Sequence, residues 1–125
     1  MAHSNLTITA FVKLGNFLRT FCELIDKNTI SDHLNDKWVS SFKSEIERAH
    51  HYNGWFTEEN CTHAFKEWGK VLSEENIEAW LSNYDLSINN EKVVALILAG
   101  NIPLVGFHDL LCVLITGNKA LVKLS

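Results

Sequence analysis

The stretch that decides the fold runs from Lys92 to Ser125, KVVALILAGNIPLVGFHDLLCVLITGNKALVKLS. Val93 to Ala99 is a continuous apolar run rich in β-branched and aliphatic residues, the pattern of a strand buried on both faces. Gly100-Asn101-Ile102-Pro103 marks a sharp turn, and Pro103 suits the first turn of a following helix, where its missing N–H costs nothing. Leu104, Phe107, Leu111, Leu114 and Ile115 recur at the three- and four-residue steps of one helix face. Gly117 can take the left-handed conformation that ends a helix, and Ala120 to Leu124 reads as a second strand. Strand, helix, strand in this order is a βαβ unit, the element from which parallel sheets are assembled. Two parallel strands rarely make a stable sheet alone, so the chain is expected to be the front part of a larger protein.

Upstream, residues 1–90 read as a helical segment, with the polar stretch Asp85–Lys92 as its boundary. Phe11, Leu14, Leu18, Phe21 and Ile25 share one helix face, and Asn28–Asp36 is expected to be a loop. Trp38, Phe42, Ile46 and Ala49 form the stripe of a second helix, ended by the chain-reversal pair Asn53-Gly54. Thr57-Glu58-Glu59-Asn60 opens a third helix: the hydroxyl can cap free backbone N–H groups, and the two acids oppose the positive end of the dipole. Its apolar face is Cys61, Ala64, Phe65 and Trp68. Ser73-Glu74-Glu75-Asn76 repeats the signal before Ile77, Trp80, Leu81 and Tyr84. With no third copy, the echo is read as shared capping chemistry rather than a helical repeat.

With 125 residues there is room for one ordinary domain, or a small one plus the opening of another. A 46% hydrophobic content with seven Phe and four Trp is ample for a packed core. The net charge of -4 is interspersed and no basic stripe follows a helix face, so nucleic acid is not an expected partner. The longest apolar run is too short to cross a bilayer, and residues 1–20 lack a basic start followed by an apolar core. Cys22, Cys61 and Cys112 are odd in number, widely spaced and set on apolar helical faces, as expected of buried thiols in a reducing compartment. His50, His51 and His63 lack a third ligand at helical spacing, so no metal site is expected. His108 and Asp109 are adjacent on a helix and do not face each other. Trp55, Trp68 and Trp80 are expected as core or interface aromatics.

Chemistry concentrates at the turn. A strand-to-helix turn gathers free N–H donors and the positive end of a helix dipole, which suits an anion or a developing oxyanion. The Asn101 carboxamide can donate into the same space, and Lys123 sits at the carboxyl end of the neighbouring strand, within reach of a cofactor's ribose or phosphate. Neither GxGxxG nor GxxxxGK[ST] is present. Residue chemistry alone therefore leaves two readings open: a nucleotide site, and a structural turn in which Asn101 satisfies local backbone groups.

The segment AGNIPLVGFHDLLCVLITGNKALVKLS resembles the start of the cofactor-binding domain of the acyl-CoA reductases, the fatty-acid reductase branch of the aldehyde dehydrogenase superfamily. Three landmarks carry the resemblance: Asn101-Ile102-Pro103, Gly117-Asn118 and Lys123-Leu124-Ser125. His50 to Leu86, HHYNGWFTEENCTHAFKEWGKVLSEENIEAWLSNYDL, also resembles the helical lead-in of bacterial members. The resemblance implies an α/β fold. A helical N-terminal segment, 1–90, would precede the first βαβ unit, 91–125, of an incomplete Rossmann-like aldehyde-dehydrogenase cofactor domain. It implies reduction of a fatty acyl-CoA thioester to the aldehyde, with NADPH, or NADH in its place, as hydride donor. Asn101 would help hold the oxygen of the tetrahedral intermediate. The backbone of Ile102 and Pro103 would line the nicotinamide end of the cofactor cleft, and Lys123 with Ser125 would contact the adenosine ribose or its phosphate.

Two departures from the wider superfamily narrow the substrate. Gly100 stands where many aldehyde dehydrogenases place an aromatic residue, and Leu124 where they commonly have proline; both look like the acyl-CoA reductase branch and favour a thioester over a free aldehyde. The family's reaction passes through a cysteine thioester, and none of Cys22, Cys61 and Cys112 occupies a matching place. The chain alone is thus expected to be an inactive portion of a cytoplasmic enzyme, homo-oligomeric or bound to a partner subunit. The alternative is a non-catalytic helical interaction module with a partial nucleotide-binding fold, whose aromatic-rich helices dock a partner.

Overall fold

Side chains offered by the sequence set the helix ends. Asp36 Oδ1 accepts from the N–H groups of Trp38 and Val39 at 2.9 and 3.2 Å, Thr57 Oγ1 from Asn60 at 3.1 Å, and Ser73 Oγ from Asn76 at 3.2 Å. Each bond satisfies a backbone donor that the first helical turn leaves free. The two Thr/Ser-Glu-Glu-Asn starts share a second device: Asn60 Nδ2 donates back to the Trp55 carbonyl at 2.9 Å, and Asn76 Nδ2 to that of Lys70 at 2.8 Å. Two helix exits are closed by left-handed residues, Asn28 (φ 53°) and Gly117 (φ 81°). At each, paired bonds run back to the last carbonyls: Asn28 to Ile25 and Thr29 to Leu24, Gly117 to Leu114 and Asn118 to Val113.

The computed structural model describes residues 2–87 and 90–125; positions 88 and 89 of the boundary stretch Asp85–Lys92 lie outside the described residues. In chain order the elements are α1 (Ala2–Asp26), a 3-10 turn (Ile30–His33), α2 (Lys37–Tyr52), α3 (Glu58–Val71), α4 (Glu74–Leu81), β1 (Val93–Ile97), α5 (Phe107–Ile115) and β2 (Lys119–Lys123). The chain is mostly helical, with one small parallel sheet in which Val93 pairs with Lys119 and Ile97 with Lys123. Asn118 joins helix exit to sheet: its Oδ1 accepts from Lys92 N–H at 3.0 Å while its Nδ2 donates to Thr116 Oγ1 at 2.9 Å.

The core lies between the helices. Phe11, Leu18 and Phe21 of α1 are buried with Phe65 of α3, Leu72, Ile77 of α4, and Leu111 and Ile115 of α5. Burying a side chain of this size contributes roughly 1.5–3 kcal/mol. Phe42 meets Phe17, Phe21 and Phe65 at ring separations of 5.2, 4.9 and 4.8 Å. Phe107, at the start of α5, stands edge-on to Trp68 at 4.6 Å and to Phe11 at 6.1 Å, so the strand-bearing segment shares the helical segment's core. Gly15 admits this packing, because a Cβ there would lie 2.6 Å from the Leu72 carbonyl oxygen.

Several expectations are corrected. β1 is not buried on both faces: Val94, Leu96 and Leu98 are half-covered, while Val93 and Ile97 are 68% and 81% exposed. Alternation along a strand puts the paired residue Leu121, 65% exposed, on the same bare face. The helix after the turn begins at Phe107, not Pro103, because Leu104 takes φ 60° and residues 103–106 form turns. Asn28–Asp36 contains the short 3-10 turn. In α2 it is Val39, not Trp38, that is buried; Trp38 is 76% exposed. Tyr84 lies beyond α4 and is exposed; of the two places expected for Trp55, core or interface, its exposure leaves only the second.

Candidate functional site

Two clefts flank the segment Gly100–Pro103 between β1 and α5. The first, about 350 Å³, is bounded by Trp55, Asn60 and His63 on one side and by Asn101, Ile102 and Pro103 on the other. The second, about 520 Å³, lies outside the carboxyl ends of both strands, where Leu98, Gly100, Leu124 and Ser125 meet Tyr52 and Asn53 at the end of α2. Ile102 lines both and so forms the partition between them.

One side-chain tie and three backbone features shape this region. Asn53, the C-cap of α2, donates from Nδ2 to the Gly100 carbonyl at 2.6 Å and accepts at Oδ1 from Trp55 N–H at 3.0 Å. Gly100 approaches Ser125 so closely that a Cβ would collide with the Ser125 side chain. Gly106 does the same against β1's exit, where a Cβ would lie 2.5 Å from Leu98 Cδ2. Leu104 adds strain, since a left-handed backbone costs a branched apolar residue roughly 1–2 kcal/mol. Strain of this kind persists only where surrounding packing fixes it, and Leu104 packs against the core.

The residues singled out from sequence are thus distributed. Asn101, Ile102 and Pro103 come together on the first cleft, Asn101 exposed and Pro103 buried. Ile102 and Ser125 line the strand-end crevice; Pro103 does not. Lys123 lines neither, and its ammonium donates to the Leu124 carbonyl at 3.3 Å. The sequence reading missed Asn53 as the tie to Gly100, a contact across 47 positions that no local spacing reports. It also missed Trp55, Asn60 and His63 as a wall. The signal available was the i, i+3 spacing of Asn60 and His63 on one face of α3.

Of the three thiols, Cys61 lies nearest this site, lining a cavity with Pro103 and Leu104, while neither Cys22 nor Cys112 lines either cleft. Burial pushes the Cys22 thiol above its ordinary pKa, opposed by Lys66 and reinforced by Asp26. Burial does the same at Cys61, with Glu58 adding to it, and at Cys112, with Asp109 adding to it. Cys112 is half-buried, with its sulfur 3.8 Å from the ring nitrogens of His108. A nucleophilic cysteine needs the opposite shift, toward thiolate near neutral pH. Among the described residues no three His, Cys, Asp or Glu side chains gather into a metal site, and no helix is long and apolar enough to cross a membrane. Comparison with protein-family models, with curated proteins and with solved structures finds no match for this chain.

Proposed function

We propose that residues 1–125 are the N-terminal part of an NADPH-dependent acyl-CoA reductase, which reduces a fatty acyl-CoA thioester to the aldehyde through a cysteine thioester. The observation that carries this assignment is the position of Asn101. Its exposed carboxamide lines one cleft, and its neighbour Ile102 is the partition to the crevice at the carboxyl ends of two parallel strands. That crevice is where open α/β folds of the Rossmann kind take their cofactors.

The crevice fits the nicotinamide end of NADPH, or of NADH. It is about 520 Å³ and mostly apolar, and on the strand side Gly100 and Ser125 approach each other closely. Ser125 stands on its rim, with Lys123 two residues before it as the nearby positive charge for an adenosine ribose or phosphate. When bound, the cofactor supplies the hydride. Asn101 donates a hydrogen bond to the acyl oxygen as charge develops there, during thiolate attack with departure of the coenzyme A thiolate and again during reduction. The attacking thiolate would come from another segment of the polypeptide, since burial pushes the Cys22, Cys61 and Cys112 thiols upward, away from thiolate. A reactive thiolate beside three free cysteines suits the reducing cytoplasm.

The test is NADPH consumption by the polypeptide that continues past Ser125, supplied with long-chain acyl-CoA. Aldehyde formed in step with NADPH lost is the expected result; no consumption above background at any chain length overturns the assignment. A second reading, an interaction module, is favoured by the bare sheet face of Val93, Ile97 and Leu121, since exposed apolar patches mark contact surfaces. The covering partner would be a second copy or another subunit, seen as co-elution in size-exclusion chromatography.

A further inference from the structure

We propose that the cleft between Trp55, Asn60 and His63 and the segment Asn101–Pro103 holds the pantetheine arm of the thioester, with the thioester carbonyl at Asn101. The direction of the arm rests on the reductase assignment above; the binding does not need it.

The lining selects among the parts of an acyl-CoA. It contains no lysine or arginine, so the phosphates of the coenzyme have no partner here. Nor is it wholly apolar: two carboxamides and an imidazole stand beside an indole, an isoleucine and a proline. An alkyl chain laid over those polar groups would strip them of water and give nothing back. The pantetheine arm alternates methylene and gem-dimethyl groups with two secondary amides, each with one donor and one acceptor. It matches a mostly apolar lining that carries a few polar groups. The flat indole face covers the apolar carbons, and the carboxamides meet the amides.

The wall is held in place. Trp55 is fixed through both of its backbone groups, its N–H donating to Asn53 Oδ1 at 3.0 Å and its carbonyl accepting from Asn60 Nδ2 at 2.9 Å. Asn60 thereby uses a donor on Trp55 and keeps its side-chain oxygen as an acceptor for an amide N–H. The same Asn53 donates to the Gly100 carbonyl, so one side chain ties the Trp55 backbone to the turn that bears Asn101. A thioester carbon held at Asn101 then lies beside Ile102, at the border of the strand-end crevice.

Calorimetric titration of the 125-residue protein with pantetheine tests this. The expected result is binding that Trp55→Ala weakens at least tenfold and Trp38→Ala, at an exposed indole outside the cleft, leaves unchanged. Absence of binding to the unmodified protein overturns the proposal, as does equal binding by the Trp55→Ala variant. Displacement of pantetheine by NADPH also overturns it, by putting the cofactor in this cleft. So does a fatty acid whose binding requires Trp55 while that of pantetheine does not. If pantetheine binds through Trp55 while the longer polypeptide consumes no NADPH, the reductase assignment fails and the subsite stands.

Discussion

Asn53 donates a 2.6 Å hydrogen bond to the Gly100 carbonyl, and that bond joins the end of α2 to the turn carrying Asn101. Both groups are half-buried, so the loss of one partner leaves the other poorly compensated. Asn53→Ala is expected to lower stability by about 1–3 kcal/mol, measured by urea denaturation. Asn53→Asp is the sharper probe. It keeps the acceptor used by Trp55 N–H but loses the donor aimed at Gly100, so it should be at least as damaging as alanine. An aspartate variant as stable as the unmodified protein would show that the tie to Gly100 contributes nothing.

Gly106 and Gly54 should respond differently to the same added methyl. At Gly106 a Cβ would lie 2.5–3.0 Å from three atoms of the Leu98 side chain, where α5 meets the sheet. Overpacking of that kind costs about 1–3 kcal/mol. At Gly54 a Cβ meets nothing within 4 Å, so Gly54→Ala should stay within about 0.5 kcal/mol of the unmodified protein. Equal midpoints for the two variants would mean that α5 can move off Leu98 freely.

The thiols give a pH dependence with a defined sign. Each is raised in the folded chain, with burial the largest cause, so the folded state holds its protons more tightly than the unfolded state. Their contribution to stability is complete below the ordinary thiol pKa of about 8.5 and is lost as pH rises from there through the folded values. Urea midpoints should therefore fall above that pH, and less steeply in Cys22→Ala. In native protein at neutral pH, Cys112 should react with an alkylating reagent before Cys22 and Cys61, which are buried. Prompt labelling of Cys22 in the folded state would contradict its burial.

The helix starts were legible because capping is local: Thr57 and Ser73 bond N–H groups three residues on, whatever the rest of the chain does. The Gly117 stop was legible for the same reason, and so was the succession of strand, helix and strand. Long-range packing decided what was misread. The helix after the turn starts late because Gly106 must pass close to Leu98 and Leu104 must turn inward, neither of which shows in the apolar spacing. Residue type left Trp55 as a core or interface aromatic, and it took two asparagine side chains, distant from any apolar spacing, to hold its backbone at the surface. Residues 101–103 line one candidate cleft together because they are contiguous in sequence. The wall opposite them was not legible, since only the fold brings α3 to that turn.

Asn101 separates the two functional readings. Its side chain is exposed, so Asn101→Ala should leave the urea midpoint within about 0.5 kcal/mol of the unmodified protein. In the longer polypeptide, loss of a donor to a developing oxyanion should lower kcat for acyl-CoA reduction by about a hundredfold or more. KM should change little if the bond forms mainly in the transition state. Ile97→Lys makes the complementary test, placing a charge on the bare sheet face 81% exposed in this chain. In an interaction module that change breaks the complex with the partner, while Asn101→Ala leaves it intact. A hundredfold loss of turnover from Asn101→Ala with assembly unchanged identifies the turn as catalytic; full turnover in that variant removes Asn101 from the chemistry and leaves the sheet face as the functional surface.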